Sequence, residues 1–493
     1  MAKEKMTGLL VNGSVRTAGV TFYTKNGKTI MRSATSMQPR RNSRSQFMAR
    51  QRMKHITALW SALKDSDPMF SGGKSAYGRF CTLASTMPAV FTPRQGEYAN
   101  ATLLLPGMES SDHAGNTHTV SDEVFIITGD INAMWLRDSS AQVCHYMPFA
   151  SKYPEVAGLI ASLIRRQQIC ILRDPYANAY LEWPGAVSEW TKDRCGMAAG
   201  DWERKYETDS LSYHILLVNN YIRYTGDTSI LDERELKVID RIISLWELET
   251  DHENRSEYTF ERTRKNGMYA GLARGGLGSP LARTGMTWSG FRPSDDPCEY
   301  GYNIPENLFA ATVLKYIEGM SSSLASRAGA LRRSVEDGVN EHGTINHPEF
   351  GKIYVYETDG MGNHILMDDP NVPSLLALPY LGVCAPDDEV YRNTRRFILS
   401  DRNPWYYSGS AASGTGSPHT PEGYIWPIGL IIQGFTSTDP DERMSLLRTL
   451  VETDSSTLSM HESFDVNDPA RYTRSWFAWA DSLFAEYVAG LFP

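Results

Sequence analysis

The sequence predicts an all-α fold, a toroid of amphipathic helices joined by long loops and preceded by a small basic segment of β-hairpins and a helix. Two observations lead to this prediction. From about residue 124, apolar residues recur at the one-face spacing of helices, and the intervening segments are long and carry Gly, Pro, Asp and aromatic residues. Helices joined by such loops favour a toroid over a bundle with short turns, and the loops would carry the chemistry.

The beginning of the chain differs in charge from the rest. Its first 64 residues contain 13 Lys or Arg and one acidic residue, whereas the whole chain of 493 residues has a net charge of -9. A basic head on an acidic body indicates two units of different origin, and we place the head at residues 1–93. The head is either a nucleic-acid-binding module or a solvated basic surface. The second interpretation is favoured because aromatic residues are sparse there.

Short strands and one helix are predicted within this head. The turn pairs Asn12-Gly13 and Asn26-Gly27 are hairpin signals, and they separate β-type runs at 9–11, 21–23 and 29–31. A basic helix follows at 43–63. Residues 94–123, which are rich in Gly, Ser, Thr, Pro and His, are predicted to be a linker.

Composition excludes several classes of protein. The chain has no run of about 18 apolar residues and no apolar segment after Met1, so we expect no membrane partner, no secretory signal and a cytoplasmic location. The six cysteines lack CxxC spacing, which argues against a zinc site and a disulfide framework. Since no Walker loop and no HExxH motif is present, no nucleotide, metal or other cofactor is expected.

Helical periodicity is clearest in two segments. Pro154 stands where a first-turn proline belongs, and apolar residues follow at one-face spacing from Val156 to Ile164. The same spacing runs from Leu211 to Ile222, before Gly226. Further helices are predicted near residues 228–247, 304–318, 321–340, 372–381, 387–399, 423–436, 440–453 and 475–490.

Acidic residues with aromatic, Arg and His neighbours recur from the middle of the chain to its end. The motifs are Trp135-Leu136-Arg137-Asp138, Arg292-Pro293-Ser294-Asp295-Asp296, Met367-Asp368-Asp369 and His461-Glu462-Ser463-Phe464. Sugars offer hydroxyls to carboxylates and apolar C–H faces to rings, and glycoside hydrolysis needs two carboxyl groups flanking one bond. A single Asp is more commonly a helix cap or an ion-pair partner, but four such motifs favour a sugar site.

Five stretches, in order along the chain, match one family. They are TGDINAMWLRDSSAQV at 128–143, WERKYETDS at 202–210, FRPSDD at 291–296, LMDDPNVPS at 366–374 and MHESF at 460–464. On these motifs the chain from Val124 onward resembles glycoside hydrolase family 125, the exo-α-1,6-mannosidases. The resemblance implies an (α/α)6 barrel over residues 124–493, an inverting mechanism and no metal. Family members begin the barrel with a helical segment where this chain has the basic head and the linker.

The resemblance also implies that the general acid is an Asp and the general base a Glu. Glu462 is the predicted base, and its alternative role is an ion pair with Arg471 or Arg474. Asp295 and Asp296 point to different sides of an extended or turn segment, so one of them can face the glycosidic oxygen. Repulsion between them raises the proton affinity of one. Asp296 is the preferred acid, with Asp295 as the alternative.

Further residues of the same motifs are predicted to bind the substrate. Asp138 can accept hydrogen bonds from two sugar hydroxyls while Arg137 fixes its position, or the two form an ion pair that caps a helix. Asp209 is either a site residue or the N-cap of the following helix. The predicted substrate-binding residues are Trp135, Arg137, Asp138, Asp209, Arg292, Asp368, Asp369 and His461.

The sequence therefore predicts an inverting exo-α-mannosidase that releases terminal α-1,6-linked mannose from N-glycan or mannan fragments. Two alternatives stay open. One is a hydrolase of the same fold for another sugar, such as an α-glucosidase or a trehalase-like enzyme. The other is a non-catalytic binding protein whose basic head binds nucleic acid. A binding protein needs no acid–base pair, so Asp296 and Glu462 favour the enzyme.

Overall fold

The chain consists of two units, residues 1–54 and 55–493. The structure, a computed structural model, describes residues 123–182, 186–264 and 269–491, and the backbone of five short strands before residue 120. Five cysteines lie in the described residues, and all are free thiols. None of the helices in these residues combines the length and the apolar character needed to cross a bilayer.

The described part of the first unit is an antiparallel sheet. Its strands are β1 (Ser14–Thr17), β2 (Val20–Lys25) and β3 (Lys28–Ser33), in that order. The predicted β-runs at 21–23 and 29–31 are confirmed as parts of β2 and β3. The predicted run at 9–11 and the predicted helix at 43–63 lie outside the described residues.

The second unit is largely helical, as the sequence predicts. Its helices in the described residues are α1 (Leu136–Ala141), α2 (Met147–Ala150), α3 (Pro154–Arg173), α4 (Thr208–Thr225), α5 (Glu233–Glu249), α6 (His252–Arg255), α7 (Ala273–Gly276), α8 (Ile304–Met320), α9 (Ala325–His342), α10 (Glu389–Ile398), α11 (Pro427–Phe435), α12 (Pro440–Glu452) and α13 (Ala478–Leu491). All predicted helices of this unit except that at 372–381 are confirmed, with ends shifted by a few residues.

Residues 372–381 form turns rather than the predicted helix. The prolines of this segment have no backbone N–H to contribute to a helical ladder. The carboxylate of Asp368 accepts hydrogen bonds from the N–H groups of Leu375 and Leu376, at 2.8 and 3.0 Å. The backbone closes in turns, in which the Ala377 N–H donates to the Ser374 carbonyl at 3.1 Å, and the leucines are buried as the apolar periodicity indicates.

Local sequence determines where the long helices begin and end. Pro154 is the first residue of α3, as predicted. Gly226 terminates α4 with a φ of 72°, a left-handed conformation that glycine adopts without steric cost. The carboxylate of Asp232 caps α5 by accepting a hydrogen bond from the N–H of Glu235 at 2.9 Å.

Short antiparallel strands connect the helices and fix the loops between them. They are β4 (Glu109–Ser111), β5 (Thr117–Thr119), β6 (Met134–Trp135), β7 (Ala179–Tyr180), β8 (Asp201–Glu203), β9 (Tyr302–Asn303), β10 (Thr344–His347), β11 (Gly351–Tyr354), β12 (Glu357–Thr358), β13 (His364–Ile365), β14 (Tyr406–Ser408), β15 (Ser413–Thr415), β16 (Tyr424–Ile425), β17 (Ser463–Asp465) and β18 (Tyr472–Thr473). The pair β4 and β5 lies within the predicted linker. Helix α4 packs against α1, α3 and α8, and α13 packs against α1 and α11.

Candidate active site

A cavity between loops from distant parts of the sequence combines acidic, basic and aromatic side chains. Five of the predicted site residues line it: Trp135, Arg137, Asp138, Asp295 and Glu462. The remaining lining comes from Thr128, Ile131, Ser294, Asn371, His419, Trp426, Arg474, Phe477 and Trp479. The cavity therefore contains carboxyl groups that can exchange protons and ring faces against which a sugar can pack.

Arg137, in the first turn of α1, lies among three carboxyl groups. Its guanidinium is 2.8 Å from Glu207, 3.1 Å from Asp209 and 3.5 Å from Asp138. Burial alone would lower the pKa of Arg137, but these three charges raise it well above its ordinary value. Arg137 is therefore a permanent cation. Asp209 is buried behind it and does not line the cavity, and the N-cap position of α4 belongs to Glu207 rather than to Asp209.

Asp138 presents a buried carboxyl group to the cavity. The Thr128 hydroxyl donates a hydrogen bond to one of its oxygens, and Arg137 lies beside the other. Burial raises the pKa of Asp138, against the opposing effects of Arg137 and Thr128. These contacts restrict the carboxyl group to one orientation, which suits it to bind sugar hydroxyls.

A tight turn between Arg292 and Asp296 sets the direction of the Asp295 side chain. The Arg292 N–H donates to the Asp296 carbonyl at 2.8 Å, and the Asp295 N–H donates to the Arg292 carbonyl at 2.9 Å. Asp295 has a φ of 68°. A positive φ is uncommon outside glycine and persists only where the surroundings enforce it, often at functional sites. The turn directs Asp295 into the cavity.

Asp295 shares a network with Asn178 and Glu207. The Nδ2 group of Asn178 lies 3.2 Å from the carboxyl group of Glu207 and 3.2 Å from that of Asp295. The two carboxyl groups are within hydrogen-bonding reach of each other. Burial, together with the charge of Asp295, raises the pKa of Glu207 well above its ordinary value despite the opposing charge of Arg137. Burial acts in the same direction on Asp295, but Lys205, the hydrogen bond with Glu207 and the charge of Arg137 outweigh it and lower its pKa. The pair therefore retains a proton on Glu207.

Asp296, the preferred acid of the sequence analysis, does not line the cavity. Its Oδ1 is 3.3 Å from Nδ1 of His419, which does line it. Burial alone would lower the pKa of His419, but the hydrogen bond and charge of Asp296, with the charges of Glu462 and Asp295, raise it to about 9. His419 is therefore a cation at neutral pH, and Asp296 acts on the cavity through it.

Glu462 enters the cavity from the segment that precedes β17. Its Oε1 is 3.5 Å from Nη1 of Arg474, whereas Arg471 pairs with Asp465. The Nε of Arg474 is in turn 3.0 Å from Asp130, so the guanidinium is itself anchored. Only 8% of the Glu462 surface is exposed. Arg474 thus orients the nearly buried carboxyl group of Glu462, which can accept a proton from water.

Asp368 and Asp369 lie outside the cavity lining and bind the protein itself. Both are fully buried. Asp368 accepts two backbone hydrogen bonds, from the N–H groups of Leu375 and Leu376. Asp369 accepts from the Ser294 hydroxyl at 2.8 Å, the Ser417 hydroxyl at 2.8 Å and the Asn371 N–H at 3.2 Å. Asp369 therefore ties the Asp295 turn to the loop that carries His419.

Arg292 and His461 are also outside the cavity lining. Arg292 forms a buried ion pair with Glu357. The ring of His461 stacks on that of Tyr472 with centroids 3.6 Å apart, and its Nδ1 lies 3.1 Å from the carbonyl oxygen of Arg474. Both side chains support loops that carry lining residues.

Four residues shape the site although the sequence analysis does not select them as site residues: Glu207, His419, Arg474 and Trp479. Glu207 lies in the matched motif at 202–210, which is a signal that could have indicated it. His419 lies in a loop of Gly, Ser, Thr and Pro, where neither periodicity nor motif marks it. Within the residues that the structure describes, no group of three or more His, Cys, Asp or Glu side chains is arranged to hold a metal ion.

Comparison with known proteins identifies the family. The model of the metal-independent α-mannosidases, family 125, matches residues 107–489. The chain is 39% identical over 401 residues to the meiotically up-regulated gene 157 protein of Schizosaccharomyces pombe, covering 77% of this chain and 78% of that protein. A Streptococcus pneumoniae structure from an analysis of metal-independent α-mannosidases, in a non-productive complex with α-1,6-mannobiose, is 38% identical. It superposes with a TM-score of 0.77 and covers 90% of this chain and 98% of that chain. The chain therefore belongs to glycoside hydrolase family 125, the metal-independent α-mannosidases.

Proposed function

We propose that the protein is an exo-acting α-mannosidase that removes terminal α-1,6-linked mannose from N-glycan or mannan fragments with inversion of configuration. The observation that carries this proposal is that Asp295 and Glu462 line one cavity together with Arg137 and Asp138. An inverting glycosidase needs one carboxyl group to protonate the leaving oxygen and another to activate water. The complex of the pneumococcal relative with α-1,6-mannobiose supports the choice of linkage.

Asp295 is the general acid in this proposal, in place of Asp296. Asp295 lines the cavity, and its hydrogen-bonded partner Glu207 retains a proton beside it. Asp296 is engaged with His419 and does not line the cavity. Asp295 therefore has the location that a general acid requires and a protonated carboxyl group as its hydrogen-bonded neighbour.

Glu462 is the general base, and Arg137, Asp138 and Trp479 form the wall that holds the terminal sugar. Arg474 keeps the Glu462 carboxylate oriented, so it can take a proton from the water that attacks the anomeric carbon. Asp138 accepts hydrogen bonds from sugar hydroxyls, and the Trp479 ring supplies an apolar surface.

We also propose that the helices close into an (α/α)6 barrel. The contacts of α13 with α1, of α1 with α4 and of α4 with α8 support a continuous inner layer, as does the contact of α11 with α13. The buried turns at 372–381 would occupy the inner position between α8 and α11. Helices α3, α9 and α12, each packed on an inner helix, would belong to the outer layer.

Proton NMR of α-1,6-mannobiose during hydrolysis by the full-length protein tests the function. The proposal requires that β-mannose appears first, before mutarotation, which reports the sugar, the linkage and inversion in one experiment. Appearance of α-mannose would overturn inversion. Release of glucose from a panel of α-linked disaccharides, without hydrolysis of the mannobiose, would instead support an enzyme of the glucosidase or trehalase type.

A further inference from the structure

Behind the cavity wall, buried carboxyl groups outnumber the cations that could balance them. Glu207, Asp209 and Glu306 are buried around Arg137. Burial raises the pKa of all three carboxyl groups, that of Asp209 to about 6. A buried carboxyl group without a matched cation keeps its proton at neutral pH. Asp209, with a pKa of about 6 and Arg137 at 3.1 Å, is mostly ionised at neutral pH, whereas Glu207 keeps a proton beside Asp295.

The orientation of Asn178 indicates that Glu207 and Asp295 share a proton. Its Oδ1 accepts a hydrogen bond from the Lys205 N–H at 3.2 Å, so its Nδ2 group must face the carboxyl groups. Nδ2 is 3.2 Å from an oxygen of each of Glu203, Glu207 and Asp295. An amide has two hydrogens and cannot satisfy three acceptors. A proton shared between Glu207 and Asp295, which are within hydrogen-bonding reach, supplies the missing hydrogen-bond donor.

We propose that Glu207 is the proton partner of the acid: in the free enzyme it carries the proton and donates a hydrogen bond to Asp295, and it passes the proton to Asp295 when a substrate fills the cavity. This inference rests on the proposed role of Asp295 as the acid. Arg137, 2.8 Å from Glu207, stabilises the carboxylate that the transfer leaves behind. Since Glu207 does not line the cavity, it is a positioning residue that acts through Asp295.

The reaction balances with one proton supplied by this pair. The O–H bond of Glu207 breaks as an O–H bond forms on Asp295. Asp295 then gives the proton to the glycosidic oxygen, which keeps the electron pair of the breaking C–O bond. Glu462 takes a proton from the water whose oxygen bonds to the anomeric carbon. Solvent afterwards removes the proton from Glu462 and restores one to the pair through Asp295, which faces the cavity.

The decisive variant is Glu207→Gln, which preserves size and a hydrogen-bond donor but cannot transfer a proton. Asp209→Asn is the matched control, because Asp209 pairs with the same guanidinium at 3.1 Å and does not touch the cavity. We would measure kcat/KM against pH for α-1,6-mannobiose and for 2,4-dinitrophenyl α-mannoside, whose leaving group needs little protonation. The charged groups that face the pair and stay in both variants are Arg137, Asp138, Glu203, Lys205 and His419.

We expect Glu207→Gln to lose about 10²-fold or more on mannobiose and less than about 10-fold on the aryl mannoside, in the range of general acid catalysis. The amide donates a hydrogen bond to the charged form of Asp295, so the alkaline limb of the profile should move to lower pH. Asp209→Asn should lose activity equally on both substrates. Equal losses for Glu207→Gln with an unmoved alkaline limb would overturn the inference. A wild-type protein that leaves mannobiose intact would overturn the proposed function instead.

Neutron diffraction of the deuterated wild-type protein at pH 6 gives a test that does not depend on the folding of a variant. A deuterium on Glu207 directed at Asp295 is the expected result. An ionised Glu207 with the deuterium elsewhere would overturn the inference, whatever the variants show.

Discussion

The two pairs of adjacent aspartates, 295–296 and 368–369, differ in how many hydrogen-bond donors of the protein point at their carboxyl groups. Asp368 accepts from two backbone N–H groups, and Asp369 accepts from two hydroxyls and one N–H. Asp295 shares the amide of Asn178 with two other carboxyl groups, is within hydrogen-bonding reach of Glu207 and faces a cavity. A carboxyl group whose lone pairs are satisfied by the protein has little capacity left for a ligand. This limit also applies to a carboxyl group that lies in one of the family motifs.

Asp368 and Asp369 have a structural role, whereas Asp295 keeps a carboxyl group that a ligand can reach. Asp368 and Asp369 fix the backbone on which the cavity depends, because they hold the turns at 372–381 and join the turn at 292–296 to the loop of His419. Asp295 sits on that framework with a left-handed φ of 68° and with another carboxyl group as its neighbour. Backbone strain costs stability, and it occurs here at the aspartate that lines the cavity.

The largest effect is expected for Asp295→Asn. The variant should lose about 10²–10⁴-fold in kcat/KM on α-1,6-mannobiose, the usual range for a removed general acid. It should lose much less on an aryl mannoside with a good leaving group. Asp296→Asn, the matched control from the same turn, should lose less on mannobiose and equally on both substrates. The reverse ranking of the two variants would restore Asp296 as the acid.

A loss of similar size, but of different character, is expected for Glu462→Gln. A general base acts on water, so its removal should cost about 10²–10⁴-fold on both substrates irrespective of the leaving group. Azide can attack without a base, and we expect it to restore turnover of the aryl mannoside by this variant. Retained activity on mannobiose would mean that the base is a different carboxyl group.

Helical periodicity predicted most of the fold because it reflects burial of one face, which local sequence encodes. It failed at 372–381, where leucines at helical spacing are buried in turns. The prolines of this segment and the hydrogen bonds from Leu375 and Leu376 to Asp368 belong to a turn structure, and the spacing of apolar residues does not distinguish it from a helix. The proposed (α/α)6 closure depends on contacts between helices far apart in sequence, which periodicity does not report.

The sequence motifs located residues of the cavity, but they did not establish what each residue does there. Arg137, Asp138 and Glu462 were identified because each lies in a motif with aromatic or charged neighbours. Alternation along the chain indicates only that Asp295 and Asp296 point to different sides, so it does not decide between them. The positive φ that directs Asp295 into the cavity has no sequence signal in a non-glycine residue. His419 was missed because its importance comes from its proximity to Asp296, 123 residues away.

A moderate loss of stability is expected for Asp369→Ala. The substitution leaves two hydroxyls and the Asn371 N–H in a buried region without their acceptor, at a cost of about 1–3 kcal/mol for each unsatisfied donor. Asp295→Asn should cost less stability, because the amide oxygen still accepts the hydrogen bond of Asn178 and no buried donor loses its acceptor. Urea unfolding of both variants at pH 6 measures this difference. Equal losses of stability would show that the two aspartate pairs do not differ in the way described.

The smallest expected effect is a change in how stability depends on pH in Asp368→Asn. Burial outweighs the two N–H donors and raises the pKa of Asp368 to about 8, whereas an Asp in the unfolded chain titrates at about 3.9. Between these values the folded state binds more protons than the unfolded state, so stability falls as pH rises through that window. Asparagine does not titrate, so the melting temperature of the variant should fall less between pH 5 and pH 8 than that of the wild-type protein. Asp401→Asn, at an exposed position, is the control that should follow the wild-type curve. Parallel curves for all three proteins would mean that Asp368 is already ionised at pH 5, with its two N–H donors dominating over burial.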